Sequence, residues 1–204
     1  MKSCCFFLGA VLLMVCAPIA MAGGSGFSLA GGAQLSEYNL DLGEGEGYLL
    51  EARFQSRVLP PNPLTGRIAS GQRYIAAVSY RDLGGDLMDH TRLRAGVGSM
   101  SAGVFRSGGM INYNRYDSGV EQAMITLEPM IGVKLGPVTL DGGVKLTVSK
   151  LDETRMHGAL LRGNLRVTGR FALFVEGDVD VLNHDEQGDK LRMRTLGAGL
   201  RYTF

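Results

Sequence analysis

Beyond residue 23 the chain alternates apolar and polar positions with a period of two, the spacing that sends successive side chains to opposite faces of a β-strand. Between Val138 and Val148, the residues Val138, Leu140, Gly142, Val144, Leu146 and Val148 share one face, and Thr139, Asp141, Gly143, Lys145, Thr147 and Ser149 share the other. The segment before it places Ala123, Ile125, Leu127, Ile131 and Val133 against Gln122, Thr126, Glu128 and Lys134, and a Gly136-Pro137 turn joins the two. Toward the C-terminus, Ala159, Leu161, Gly163, Leu165 and Val167 oppose Arg162, Asn164, Arg166 and Thr168. Phe171, Leu173, Val175, Val179 and Val181 then oppose Glu176, Asp178 and Asp180, and Leu196, Ala198, Leu200, Tyr202 and Phe204 oppose Thr195, Gly197, Gly199, Arg201 and Thr203. Noisier alternation runs through 48–55, 73–81, 91–98 and 105–114. In the first segment Phe27 to Leu35 carry apolar residues at odd positions. The phase then slips at Ser36 and Glu37, so that Tyr38, Leu40 and Leu42 become the apolar set, as a bulge or an early loop would produce.

The pattern predicts ten strands, with eight as the alternative count. The clear runs are about twice the ~5–6 residues of an ordinary strand and match the ~9–11 that cross a bilayer. Connections alternate in character. Those at 99–103, Gly136-Pro137 and Thr168-Gly169 are tight, whereas those near 43–47, 83–89, 151–155 and 183–190 are longer and acidic. Short turns at one end and long loops at the other are the asymmetry of a transmembrane up-and-down antiparallel β-barrel. The short turn at 117–119 and the long stretch at 60–66 depart from it. No uncharged stretch beyond Glu37 is longer than Ala95 to Phe105, about half of what a spanning helix needs.

An all-β chain of this kind has two arrangements: a soluble domain with the apolar faces as its core, or a barrel with those faces toward lipid. Three features favour lipid. The apolar faces are rich in Gly and Ala, which fill a core poorly. Aromatic residues gather near strand ends, Phe27, Phe54, Phe105, Phe171, Tyr202 and Phe204 on the tight-turn side and Tyr38, Tyr48, Tyr80, Tyr113 and Tyr116 on the long-loop side, as two interfacial girdles would require. The polar faces carry complementary charges: Arg162 and Arg166 share an interior with Glu176, Asp178, Asp180, Lys145 and Asp141, where ions must be paired because burying a lone charge is very costly.

The N-terminus supplies the export context. Lys2, an apolar run from Cys4 to Ile19 and the small-x-small Ala20-Met21-Ala22 read as a secretory signal peptide over 1–22 cleaved after Ala22, leaving the barrel domain at 23–204. All three cysteines, Cys4, Cys5 and Cys16, fall in this leader, so the exported chain has no disulfide, thiolate metal site or cysteine nucleophile. The net charge of +1 over 204 residues excludes an electrostatic nucleic-acid binder. Losing Lys2 leaves basic and acidic residues equal in number, as a narrow lumen of paired ions would require.

The ending Leu200-Arg201-Tyr202-Thr203-Phe204 resembles the C-terminal signature of Gram-negative outer-membrane β-barrels. The size, leader and glycine-rich strands look like the small OmpA/OmpX-like barrels and, more loosely, the YfaZ-type family. The resemblance implies a location in the bacterial outer membrane, contact with outer-membrane lipid and lipopolysaccharide, and recognition of Leu200, Tyr202 and Phe204 by the barrel-assembly machinery. It also implies a monomer.

Candidate chemistry is sparse. His90 lies beside Asp86 and Asp89, His157 near Asp152 and Glu153, and His184 before Asp185 and Glu186, all near the predicted long-loop end, where an acid/base site could sit at a barrel rim. No nucleophile stands in a recognisable motif beside them. The Gly-rich pieces at 96–103 and 108–109 lack the Lys-Ser/Thr and helix of a phosphate loop. Met100, Met110, Met124 and Met130 fall on inward faces and read as gap-filling rather than metal ligands. The expectation is therefore a non-enzymatic outer-membrane barrel without cofactor, metal or catalytic residues, either structural or a narrow low-conductance pore. A rim hydrolase using the histidines and an adhesion or interaction protein acting through the loops are the alternatives.

Overall fold

Alternation over long runs forces each segment to be a strand with two unlike faces, and only closure removes the unpaired edges of such a sheet. The computed structural model describes residues 26–38, 44–56, 71–84, 91–117, 121–151, 154–184 and 190–204. They form ten strands: β1 (Gly26–Tyr38), β2 (Glu44–Gln55), β3 (Gln72–Asp82), β4 (Thr91–Ser101), β5 (Phe105–Asp117), β6 (Glu121–Leu135), β7 (Val138–Lys150), β8 (Thr154–Arg166), β9 (Phe171–His184) and β10 (Lys190–Thr203). Each pairs antiparallel with its sequence neighbour, and β1 closes on β10 from Ser28↔Thr203 to Tyr38↔Met193. The barrel is thus up-and-down and ten-stranded. The leader with its cysteines, the 60–66 stretch, His90, Leu40 and Leu42 lie outside the described residues.

Chemistry dictates which face points where. The exterior carries Leu161 at 61% exposure, Val97 at 62% and Ile131 at 73%, while Lys145, Glu128 and Asn114 inside are fully shielded. Apolar outside and ionic inside is the inverse of a soluble core, and it makes the outer surface that of a membrane-spanning barrel. Met100, Met110, Met124 and Met130 are buried inside it.

The tight turns lie at one end. Gly136 has φ +59°, a left-handed conformation that suits glycine, and it lets β6 reverse directly into β7. The β8–β9 turn is held by the Thr168 hydroxyl oxygen, which accepts from the Phe171 N–H at 3.0 Å. Both described termini are also at this end, where the Phe204 N–H donates to the Phe27 carbonyl at 2.9 Å. At the β1–β10 seam Gly32 faces Gly199. A Cβ on Gly32 would stand 2.9 Å from the Gly199 Cα, so the absence of side chains there permits the close approach.

Two expectations are corrected. β1 shows no slip at Ser36 and Glu37: it pairs with β2 continuously from Gly26 to Glu37, and its even positions stay inward to Tyr38. The register shift falls instead between Ile125 and Thr126 of β6, where β7 inserts one extra residue. Tyr38 and Tyr116, assigned to the loop-side girdle, are buried inside the lumen. The remaining girdle is present: Tyr48 and Tyr80 stand 5.9 Å apart on the loop side, and Phe171, Tyr202 and Phe204 form a contiguous cluster on the turn side, with centroids 4.9 and 4.8 Å apart.

Candidate functional site

The lumen is where this chain concentrates its chemistry, and it is layered along the axis. At the loop end the inward positions are apolar: Tyr38, Leu83, Tyr116, Met124, Met156 and Met193 pack together with Leu182. The Tyr38 hydroxyl donates to the carbonyls of Leu83 and Gly84 at 3.1 and 3.0 Å, tying β1 to the segment after β3.

Beneath this cap lies an ion network. β9 projects Glu176, Asp178 and Asp180 at successive inward positions, a spacing of two that stacks three carboxylates along the lumen wall. Cations from the facing strands meet them. Arg81 pairs with Glu176 and, at 3.2 Å, with Asp178; Arg92 reaches Asp178 at 3.2 Å and Asp180 at 2.8 Å. Lys145 pairs with Asp178 and, at 2.7 Å, with Asp180. Tyr116 lies under the Arg92 guanidinium, 5.1 Å from ring centroid to charge, and its hydroxyl donates to Asp180 at 3.1 Å. Arg94 pairs with Glu128, and Asn114 accepts from Arg92 at 3.0 Å while donating to Thr126 at 2.8 Å. One step toward the turns, Arg162 joins Glu176 to Glu51 at 3.0 Å, and Arg201 holds the other Glu51 oxygen at 2.9 Å.

Lys145, Glu128 and Asn114 are shielded at 0% exposure, so the side chains pack closely across the middle of the barrel. Each ion is compensated, as it must be where an uncompensated charge costs several kcal/mol, roughly 3–5 when one partner is removed. The sequence-derived set Arg162, Lys145, Glu176, Asp178 and Asp180 is brought together here. Asp141 is separate: it pairs with Arg106 at 3.1 Å, nearer the turns. Arg166 is a correction, because at the end of β8 it lies beyond the reach of the β9 carboxylates and is exposed. Arg81, Arg92, Arg94, Glu51 and Glu128 also belong to the network; the alternation places them on the polar faces without showing that they pair. Their inward parity was the available signal.

A polar cavity of about 180 Å³ opens below the network at the turn end. Ile75, Met100, Met110, Met130 and Leu160 form an apolar patch on the β3–β6 and β8 side, and Ile75 and Met100 line the cavity.

Of the three histidines, only His157 has a described side chain. His157 is exposed on the exterior face of β8, opposite Val181; His90, Asp152, Glu153, Asp185 and Glu186 lie outside the described residues, as does the His184 side chain. Among the described residues no cluster of three His, Cys, Asp or Glu side chains could hold a metal ion.

No family model and no curated protein matches the chain. Among solved structures the barrel is similar to Neisserial surface protein A, with 14% identity, 89% of this chain and 100% of that one covered, and a TM-score of 0.40. It is also similar to the translocator domain of the autotransporter NalP from Neisseria meningitidis, with 11% identity, 100% of this chain and 97% of that one covered, and a TM-score of 0.41.

Proposed function

We propose that the chain is a non-conducting integral protein of the bacterial outer membrane, a barrel whose lumen is sealed by its own ion network. One observation carries this reading: Lys145, Glu128 and Asn114, charged or polar groups on the inward faces of β7, β6 and β5, are fully shielded from solvent. A conducting pore wets its lining, and here cations and carboxylates fill the cross-section instead. A ten-stranded barrel is small enough for side chains to close it. Of the two forms expected from the sequence, the structural one is therefore favoured over the narrow pore. The inverted faces and the aromatic clusters at both ends support residence in a bilayer, and the leader supports export to the outer membrane. In that setting outer-membrane lipid and lipopolysaccharide contact the exterior, and the barrel-assembly machinery reads Leu200, Tyr202 and Phe204, whose side chains lie on the exterior face at the β1–β10 seam.

The rim-hydrolase alternative draws no support from His157, which faces outward on β8. Planar-bilayer recording tests the proposal: the refolded protein gives no unitary currents at voltages up to ~100 mV, and steady channels would overturn it. Replacing His157 with Ala leaves this behaviour and the heat-modifiable gel migration unchanged.

A further inference from the structure

Charge is distributed unevenly along the lumen. On the loop side each of Arg81, Arg92, Arg94 and Lys145 has a carboxylate partner. The turn-end cavity is the reverse: Arg53, Arg73, Arg106, Lys134, Arg166 and Arg201 line it, and among the described residues its one carboxylate is Asp141. Arg106 occupies Asp141 at 3.1 Å, and Arg201 is held by Glu51 at 2.9 Å and Asn164 at 2.6 Å. Arg53, Arg73, Lys134 and Arg166 have no ion pair with any described residue. The Nε atoms of Arg53, Arg73 and Arg201 are shut away from solvent with no hydrogen-bond acceptor among the described residues.

Arg73, Lys134 and Arg166 face the cavity without an ion-pair partner among the described residues. Arg53 has only the nearby Glu51 and Asp141, which other arginines already hold, and the excess of like charge draws in an anion. Guanidinium groups favour oxyanions, which they grip through two parallel N–H donors, over a spherical ion such as chloride. At about 180 Å³ the cavity falls short of the ~300 Å³ or more of sites for drug-sized organic ligands, which limits the bound part to a small group. We propose that the turn-end cavity is a binding site for a phosphate group, held by Arg53, Arg73, Lys134 and Arg166. The group is either free phosphate or the terminal phosphomonoester of a larger molecule that projects out past the turns. The site stands whether or not the barrel conducts.

Calorimetric titration of the protein refolded in detergent tests the site, using inorganic phosphate, glycerol phosphate and chloride at matched ionic strength. One phosphate binds per chain, at least tenfold more tightly than chloride. Tighter binding of glycerol phosphate identifies a phosphomonoester as the ligand, and equal binding shows that the phosphate group alone is read. Phosphate binding no tighter than chloride overturns the proposal. In the Arg53→Gln/Arg73→Gln variant, affinity falls at least tenfold and added phosphate no longer raises the unfolding temperature. In phosphate-free buffer the same variant unfolds at an equal or higher temperature, because like charges have been removed. A lower temperature there, which means that the arginines hold the fold instead of a ligand, overturns the assignment. If that variant does not refold, Lys134→Gln at the cavity wall gives the same reading through a severalfold loss of phosphate affinity, and unchanged affinity refutes the site.

Discussion

Asp178 holds Arg81, Arg92 and Lys145 at once, which makes it the residue on which the lumen depends most. Replacing it with Asn keeps the shape and removes the charge, leaving three buried cations to share Glu176 and Asp180. Removing one partner of a buried pair costs about 3–5 kcal/mol, and the remaining carboxylates offset some of that. Asp178→Asn is expected to lower the stability of the refolded barrel by about 3 kcal/mol, read as a shift of the urea midpoint with an unchanged slope. Arg166→Ala is the contrasting variant. Arg166 is exposed and has no ion pair among the described residues, so its loss shifts the midpoint by less than ~0.5 kcal/mol in either direction. Equal shifts for the two variants would mean that Arg166 belongs to the network after all. Nearly equal numbers of acids and bases, 20 against 21, do not make every part of the lumen neutral, and Arg166 is where the two ideas separate.

At the scale of the element, strict alternation made β8 to β10 readable residue by residue, whereas in β6 and β7 it missed the extra residue opposite Ile125 and Thr126. Leu161 out and Arg162 in, or Val175 out and Glu176 in, follow from parity alone. The turn at Gly136-Pro137 was legible for the same local reason. Alternation could not say that the lumen changes character along its length. Tyr38 and Tyr116 are apolar enough for a girdle, yet they occupy inward positions because the loop end of the lumen is itself apolar, closed by Met124, Met156 and Met193. Partner choice in the network was also illegible, because Arg81 meets Glu176 from 95 residues away and no local rule specifies that meeting. The turn-end cations were within reach: Arg53, Arg73, Arg106, Lys134, Arg166 and Arg201 all have inward parity close to the turns. Exterior assignments can be checked directly. Leu161 sits at the middle of β8 and is 61% exposed on the outer face. Leu161→Arg is expected to cost about 2–4 kcal/mol for the barrel folded in lipid vesicles, the usual penalty for a cation near the bilayer midplane. A soluble barrel accepts the same change at almost no cost, so an unchanged midpoint would refute the lipid-facing exterior.

For the whole molecule, the proposed seal is off-centre: among the described residues the apolar cluster and the ion network fill the loop side and the middle, while the turn side holds a basic cavity. Any path forced through the seal must therefore also pass Arg53 and Arg73, and a narrow passage lined by one sign of charge in low-dielectric walls concentrates the opposite ion. Replacing Arg81, Lys145, Glu176 and Asp178 together with Ser removes two cations and two carboxylates, which empties the constriction without changing its net charge. The variant is expected to conduct in planar bilayers and to prefer chloride over potassium, so that its reversal potential in a KCl gradient moves toward the chloride equilibrium value. The preference falls as salt rises, since screening shortens to ~3 Å at 1 M. Adding Arg53→Gln and Arg73→Gln abolishes the preference while leaving the conductance in place. A cation-selective current from the fourfold variant would show that ions bypass the turn-end cavity, and with it that the cavity does not lie on the axis of the lumen.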